Sequence, residues 1–585
     1  MKWVLAAHDA GAVSRLSAEA GINPLIARLM VARGITDAAA ARSFLSSDLS
    51  TCSDPGVFDG MERAVVRIRK ALSSREPVVI YGDYDVDGVT GAAVLFLALR
   101  ELGAAATCYI PDRMTEGYGL NAAALSKIKA AGAGLVITVD CGISSVSEAE
   151  AARSLGLDLI ITDHHESAAV EGGGRSPAQA VLPAAFAVIH PALVRPDTPE
   201  AVRESIGGLT GVGVAYKLAQ AVLGAPAGDE RLAKYLDLVT LGTIADMGRI
   251  TGENRVLVRA GLEILSSDAP CLRPGIAALK QVSGLSGKRV TVGTVGFTLA
   301  PRINASGRLE KADAAFRLMT TDSPEEAREL AGLLDTVNRE RQAVEETIWA
   351  SARELCLRAD LANTGAFVLA SEAWHPGVIG IVASRIVEEF YRPAALISVK
   401  DGVGKGSARS IPGFDLYQGL SECSDLLLGF GGHKYAAGLT VAEDRIPSLR
   451  ERLNAVVLER FGSEGFIRTV AIDAPITLNE LSFDLMNDIE RMAPFGQGNP
   501  EPRLGAKGLQ VSAIRQVGNN KHLKLRLLQQ NNQSFDAIAY NRGESLAARL
   551  RNGSRVAAVF TPRINTWNGM TNIQLEIRDL KVEKA

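Results

Sequence analysis

Three short apolar runs, each followed at once by acidic or imidazole residues, constrain this 585-residue chain more than any other feature. The runs are VVIY (78–81), LVITV (135–139) and LIIT (159–162); behind them stand GDYDVDG (82–88), DCG (140–142) and DHH (163–165). A further run, ATCYI (106–110), carries no such tail. Helical stretches, 90–102 among them, separate the runs, with GDYDVDG read as a loop. Strands alternating with helices predict a parallel sheet. In such a sheet the ligand crevice lies beyond the carboxyl ends of the strands, so the three clusters are expected to converge there. Carboxylates packed together repel and cannot all stay ionised without a counter-charge. A divalent cation supplies one, and oxygen ligands with one or two imidazoles suit manganese or magnesium better than a thiolate metal. Four or more carboxylates can bridge two such ions about 3.5–4 Å apart, the arrangement that activates water for in-line attack on a phosphate. Alone, a D-x-D-G is more often a turn, and a D-H-H a strand end with a helix cap. Their repetition at successive strand ends carries the metal reading.

Charge is uneven. Residues 503–585 hold fourteen Lys/Arg and five Asp/Glu, a net of +9, whereas the 502 residues before them hold 49 against 61. Phe535, Tyr540, Phe560 and Trp567 lie among these charges. The runs 522–528, 535–540, 555–560 and 572–577 read as strands between Gly/Asn turns. A small basic all-β module fits a five-stranded oligonucleotide-binding barrel, with Lys521, Lys524, Arg526 and Trp567 as candidate contacts. Upstream, Ser323-Pro-Glu-Glu326 reads as a capping box with Pro at the first helical position. Apolar residues then keep helical spacing for some thirty residues, long enough for a spacer between domains. A second α/β pattern follows over 367–457. EGGGRS (171–176) reads as a flexible loop, and the Pro/Gly-rich stretch 493–502 as the approach to the barrel. The cysteines, Cys52, Cys108, Cys141, Cys271, Cys356 and Cys423, form no C-x-x-C pair, which argues against a zinc site or a disulfide framework. No run approaches the ~20 apolar residues of a membrane span, and the start lacks a signal-peptide core; a cytoplasmic protein without membrane contact is expected.

Nine motifs in order, GDYDVDG (82–88), IPDRMTEGYGLN (110–121), TVDCGIS (138–144), TDHHE (162–166), LDLVTLGTIAD (236–246), PRINASGR (301–308), WHPGVIGIVASRI (374–386), GKGSARS (404–410) and GGHKYAAG (431–438), resemble the DHH phosphoesterase superfamily, and within it the single-stranded-DNA exonucleases. The resemblance runs from about residue 78 to 580. It implies an α/β fold with a parallel-sheet DHH domain and a smaller α/β DHH-associated domain joined by a long helix, a cleft between them, and a C-terminal OB-fold. The boundaries expected are 1–60 for an N-terminal helical segment, 61–265 for the DHH domain and 266–355 for the connection. The DHH-associated domain then takes 356–460 and the barrel 461–585. By resemblance Asp85, Asp87, Asp140, His164 and Asp246 hold two divalent cations, with Asp83 and His165 supporting them. Asp237 is the rival to Asp246. Where relatives often place a histidine this chain has Tyr81, which bears on the coordination of one ion.

The resemblance also assigns Arg113, Arg302, Asn304, Gln342, Arg385, Ser407 and Arg409 to the substrate backbone and its 5′ end. By the same resemblance His433 is expected to face the scissile phosphate. Arginine in Gly-punctuated segments suits this on chemistry alone, as a forked permanent donor where backbone can approach closely. His190 stands where the family more usually has Asn and receives no role; Trp374 and His375 are read as packing a helix start. The activity implied is processive 5′→3′ hydrolysis of single-stranded DNA to nucleoside 5′-monophosphates, in recombination and repair. A monomer is expected, with a single-strand-binding protein and a recombination helicase as partners. A dinucleotide phosphodiesterase of the same superfamily would need no terminal barrel, and a non-catalytic scaffold would lose acidic motifs that here are intact.

Overall fold

The Val78–Gly82 strand is the hinge of the architecture. It pairs in parallel with Ala106–Tyr109 on one side and Leu135–Val139 on the other, and Asp158–Thr162 and Ala187–Ile189 complete a five-stranded parallel sheet. The computed structural model describes the chain except residues 113–115, 118, 167–180, 268–271, 310–312, 463–464, 530–532, 568 and 584–585, and the side chains of 308, 309 and 567. The EGGGRS segment therefore lies outside the described residues. Apolar clusters cover both faces of the sheet, which is why its central strands read as unbroken hydrophobic runs.

The helix after the first strand begins earlier than expected, at Val86, and runs to Glu101. Asp85 caps it by accepting from Gly88 N–H at 3.1 Å, as Asp does well at this position. Gly88 is no breaker here: a Cβ on it would stand 2.6 Å from the Asp83 backbone nitrogen. The D-V-D-G motif is thus a helix N-terminus rather than a loop.

The long helix, Pro324–Arg358, has 35 residues, about 50 Å at 1.5 Å per residue. Its first half places Ala327, Leu330, Ala331 and Leu334 in the main core. Its second half packs Ile348, Ala352 and Cys356 against Phe367, Trp374 and Val382 of the next domain. The capping box is only half formed. Ser323 Oγ accepts from Glu326 N–H, while the Glu326 carboxylate takes Thr321 and Arg317 instead. Beyond this helix Phe367–Ser371, Ala394–Lys400, Val403–Arg409, Ala436–Ala442 and Leu427–Gly432 form a second five-stranded sheet in that order. Trp374 is buried beside the Ile379–Phe390 helix, and His375 Nδ1 accepts from Gly377 N–H, so both do serve that helix start.

Leu504–Val517, His522–Leu528, Ser534–Ala539, Met570–Val582 and Arg555–Trp567 close into a barrel, the first pairing with the last. The four strands read from sequence are all present, two of them longer than read; Leu504–Val517 was not anticipated. Nor was the placing of the N-terminus. Lys2–Leu5 pairs with Thr469–Ile472, and Leu16, Ile26, Leu29 and Met30 share one core with Leu504, Leu525 and Phe560. Arg255, buried, joins this unit to the parallel-sheet domain by donating to the carbonyls of Phe44, Arg491, Met492, Ala493 and Pro494. No single helix among the described residues is long and apolar enough to cross a membrane.

Candidate active site

Register brings the acidic residues together. Gly82 pairs with Val139 and Val139 with Thr162, so Asp83, Asp140 and Asp163 each stand one residue past a common row. Asp140 turns its chain sharply there, with φ of 64°, while its N–H donates to Thr162 O at 3.0 Å. A positive φ on a non-glycine residue is strained and marks a position held by its surroundings.

Asp87 comes from the helix N-terminus and is buried. Its Oδ1 accepts from Val212 N–H at 3.0 Å and Thr210 Oγ1 at 3.1 Å, and its Oδ2 from Gly211 N–H at 2.6 Å. These donors open the Gly211–Leu223 helix, whose N-terminal dipole favours an anion. Asp246 caps the C-terminus of Leu236–Ala245 and reaches the same space. At the centre lies His164. Its Nε2 is buried, makes no hydrogen bond, and stands 3.1 Å from Asp140 Oδ1, 3.6 Å from Asp246 Oδ2 and 3.7 Å from Asp87 Oδ2.

Electrostatics confirm the crowding. Burial and the charge of Asp85 push Asp87 up to about 7, and burial with Asp87 pushes Asp246 up to about 8. Burial and the neighbouring aspartates raise Asp140 as well. Burial and the His165 charge drive His164 down to about 3, a neutral imidazole fit to be a ligand. Burial opposes charge on His165, but the Asp163 hydrogen bond and the nearby carboxylates raise it to about 9. Asp163 itself would be raised by burial. Instead its contacts with His165 and with the backbone N–H of Ile143 and His165 hold it near 2.

Among the described residues three overlapping groups offer one ligand atom per residue, all within 4.8 Å of one another: Asp140, His164 and His165; Asp87, His164 and Asp246; Asp83, Asp85 and Asp140. An imidazole nitrogen ringed by carboxylate oxygens that it does not hydrogen-bond is the donor set for hard divalent cations such as manganese or magnesium. Asp237 is not part of it. It opens the same helix nine residues before Asp246, buried and paired with Arg273 at 3.2 Å. Tyr81 is buried and belongs to none of these groups, its hydroxyl donating to Gly119 O at 3.0 Å.

Asp163 and His190 escaped assignment from sequence. Asp163 Oδ1 accepts from the backbone N–H of His164 at 2.7 Å and contacts His165 Nδ1 at 2.8 Å, fixing the His165 ring and the His164 backbone. Such partners of metal-binding histidines set tautomer and orientation. His190 Nδ1 accepts from Ala192 N–H, which leaves Nε2 to donate to His165 O at 3.0 Å. The first D of D-H-H was the available signal for Asp163; His190 carried none.

Across from the cluster, His433 Nδ1 lies 3.5 Å from Oε2 of Glu166, the residue after the D-H-H run. Ser407 Oγ accepts from Arg409 at 3.0 Å, and both crowd Gly380, where a Cβ would stand 2.8 Å from Ser407 Oγ. The remaining candidates are more engaged than expected. Arg302 donates to Asp335 Oδ1 and Thr298 O. Arg385 pairs with Glu345 and Glu346 over the Trp349 ring. Asn304 accepts from Val86 N–H at 3.2 Å, securing the turn that carries Asp85. Gln342 is exposed on the long helix. Lys521, Lys524 and Arg526 are exposed on the barrel, Arg526 beside Asp536. Arg113 and the Trp567 side chain lie outside the described residues.

Known proteins give the same picture. Residues 77–243 match the DHH family N-terminal domain, 363–459 the DHHA1 domain and 472–579 the RecJ OB domain. The single-stranded-DNA-specific exonuclease RecJ of Bacillus subtilis is 40% identical over 587 residues, covering all of this chain and 71% of that protein. Two crystal structures of RecJ from Thermus thermophilus cover the whole chain. The Mn2+ complex has a TM-score of 0.81 at 31% identity, with 80% of its own chain covered. The Mg2+ complex has a TM-score of 0.75 at 30% identity, with 79% covered. Both ions are those the donor set here suits. From the strand-end cluster, the two α/β domains on one long helix and the closing barrel, this chain belongs to the RecJ family.

Proposed function

We propose that this chain is a single-stranded-DNA exonuclease that works from the 5′ end through two divalent cations. Its products are nucleoside 5′-monophosphates and its setting is DNA recombination and repair. The observation that carries the reading is His164 Nε2, buried within 3.1–3.7 Å of three carboxylates without a hydrogen bond. Asp85, Asp87, Asp140, His164 and Asp246 hold the cations in this reading, with Asp83 and His165 beside them. Bound there, the cations supply Lewis acidity, acidifying water and offsetting charge on the phosphate. The chain's own residues do the rest. Asp163 engages the His165 ring at 2.8 Å and fixes its orientation beside the ligands. Ser407 and Arg409 offer donors to the terminal phosphate, with Arg113, Arg302, Gln342 and Arg385 along the backbone. Acidic residues of the long helix orient Arg302 and Arg385. His433 approaches from the second domain and stabilises charge as it develops. The barrel's exposed Lys521, Lys524 and Arg526, with Trp567, hold the trailing strand. One chain carries the full set, so a monomer suffices; a single-strand-binding protein and a helicase would supply the strand.

The test is digestion of 5′- and 3′-labelled single strands in manganese or magnesium. The 5′ label is expected to leave at once as a mononucleotide, while the 3′ label stays on a shrinking ladder. Release of the 3′ label first, or equal rates on blunt duplex, would overturn the reading.

A further inference from the structure

Phe297 is 89% exposed, the most exposed large apolar side chain among the described residues, and Met247 is 71% exposed. A ring left so open to water forgoes burial that the fold offers most of its aromatics. The two residues are not scattered. Phe297 lies in a π-helical turn, Val295–Leu299, a rare form that is frequent at functional sites. The next helix, Ala300–Leu309, carries Arg302 and Asn304. The neighbouring Gly296 faces Ile244, 3.8 Å from where a Cβ would stand, so this turn abuts the end of the helix capped by Asp246. Met247 follows Asp246 directly and is held at φ of 61°. Three residues on, Ile250 N–H donates to Gln497 O at 2.7 Å, in the segment leading to the barrel. The stretch between the metal-binding cluster and the barrel is thus the place where both apolar side chains stand bare.

We propose that Phe297, with Met247 on the same stretch, is a stacking platform for a nucleobase of the strand passing from the barrel to the acidic centre. This rests on the single-strand reading above. The surrounding carboxylates suit cations and the arginines suit phosphates, whereas Phe297 and Met247 offer a base an apolar surface. A flat ring accepts every base because every base has a π-face, and a thioether adapts to the second contact. The platform therefore contributes grip without sequence preference.

The test compares wild type with Phe297→Ala, Phe297→Trp and Met247→Asn, which keeps a residue suited to the positive φ. KM and kcat are measured on a normal oligonucleotide and on one bearing a run of abasic sites. Base–aromatic stacking corresponds to a loss of roughly 5- to 160-fold on truncation. Phe297→Ala is expected to raise KM by that factor and to change kcat less, Phe297→Trp to stay within about twofold, and Met247→Asn to show a smaller loss. Abasic sites should weaken the wild type and leave Phe297→Ala indifferent. Equal loss on both substrates would assign Phe297 to folding, and no loss on either would assign it to a protein partner; each overturns the platform while hydrolysis by the wild type stands. A wild type that leaves single strands uncut would bring down the functional reading, and the platform with it.

Discussion

Gly211→Ala separates stability from function at this site. A Cβ on Gly211 would stand 2.6 Å from Asp140 Cβ, 2.7 Å from its Oδ1 and 2.8 Å from its Cγ. Carbon contacts are comfortable at about 3.5–4.0 Å, so the overlap is about 1 Å. Two motions relieve it. Asp140 can shift, but it is 1% exposed and already at positive φ. Alternatively the helix N-terminus can retreat, which stretches the 2.6 Å bond from Gly211 N–H to Asp87 Oδ2. Either route displaces a proposed ligand. Overpacking costs about 1–3 kcal/mol, and the better helix propensity of alanine returns up to about 1 kcal/mol. Net destabilisation is then about 0–3 kcal/mol, a few degrees in the melting of a unit this size. Misplacing a ligand by about 1 Å, by contrast, costs on the order of 100-fold in rate. The assay is manganese-dependent hydrolysis of a single strand beside a circular-dichroism melt. Gly332→Ala in the long helix, where a Cβ meets nothing within 4 Å, serves as control; it should gain up to about 1 kcal/mol. A Gly211→Ala enzyme within threefold of wild type would refute the reasoning.

Two other outcomes follow from the same geometry. Without a cation, Asp246 at about 8 and Asp87 at about 7 retain protons near neutrality. Binding must expel them, so manganese affinity should fall as pH drops through 8 and then 7 and level off above 8. Calorimetry in buffers of different ionisation enthalpy should show net proton release at pH 7; flat affinity between pH 6 and 8 with no proton release would contradict this. On the barrel, Lys524→Ala should flatten log affinity against log salt for long single strands by about 0.7, measured by anisotropy titrations. Arg526→Ala should do less because Arg526 already lies beside Asp536. Unchanged slopes would mean that this face holds no DNA. Point changes are the right tool here, since cutting the barrel away would bare Leu16, Ile26 and Met30, which share its core.

How much was legible depends on how local the cause is. The strand ends before Asp83, Asp140 and Asp163 were readable because apolar runs, turn chemistry and side-chain type act over a few residues. GDYDVDG was read as a loop, but the helix starts within it at Val86, and Gly88 is there because of its close approach to the Asp83 backbone. The cradle of Asp87 lies 123 to 125 residues away, at Thr210, Gly211 and Val212, and only the sheet brings it near. The same holds for the arginines. Their type was visible, but the long-helix carboxylates that bind Arg302 and Arg385 could not be placed before the helix was docked. The longest reach is the N-terminal strand, which pairs with Thr469–Ile472; no pattern within residues 1–60 points to a partner that far along the chain.

The central claim is that Asp140 and His164 hold the cation on which single-strand hydrolysis depends. Manganese binding by calorimetry and cleavage of a labelled single strand, measured on the same preparations of wild type, Asp140→Asn and His164→Ala, tests it most directly. Two ions per wild-type chain are expected. In each variant at least one should be lost, together with a fall in hydrolysis of about a thousandfold or more, on the order of the several kcal/mol that metal charge stabilisation supplies. A folded variant that binds no manganese and still cleaves within a few-fold of wild type would contradict the account.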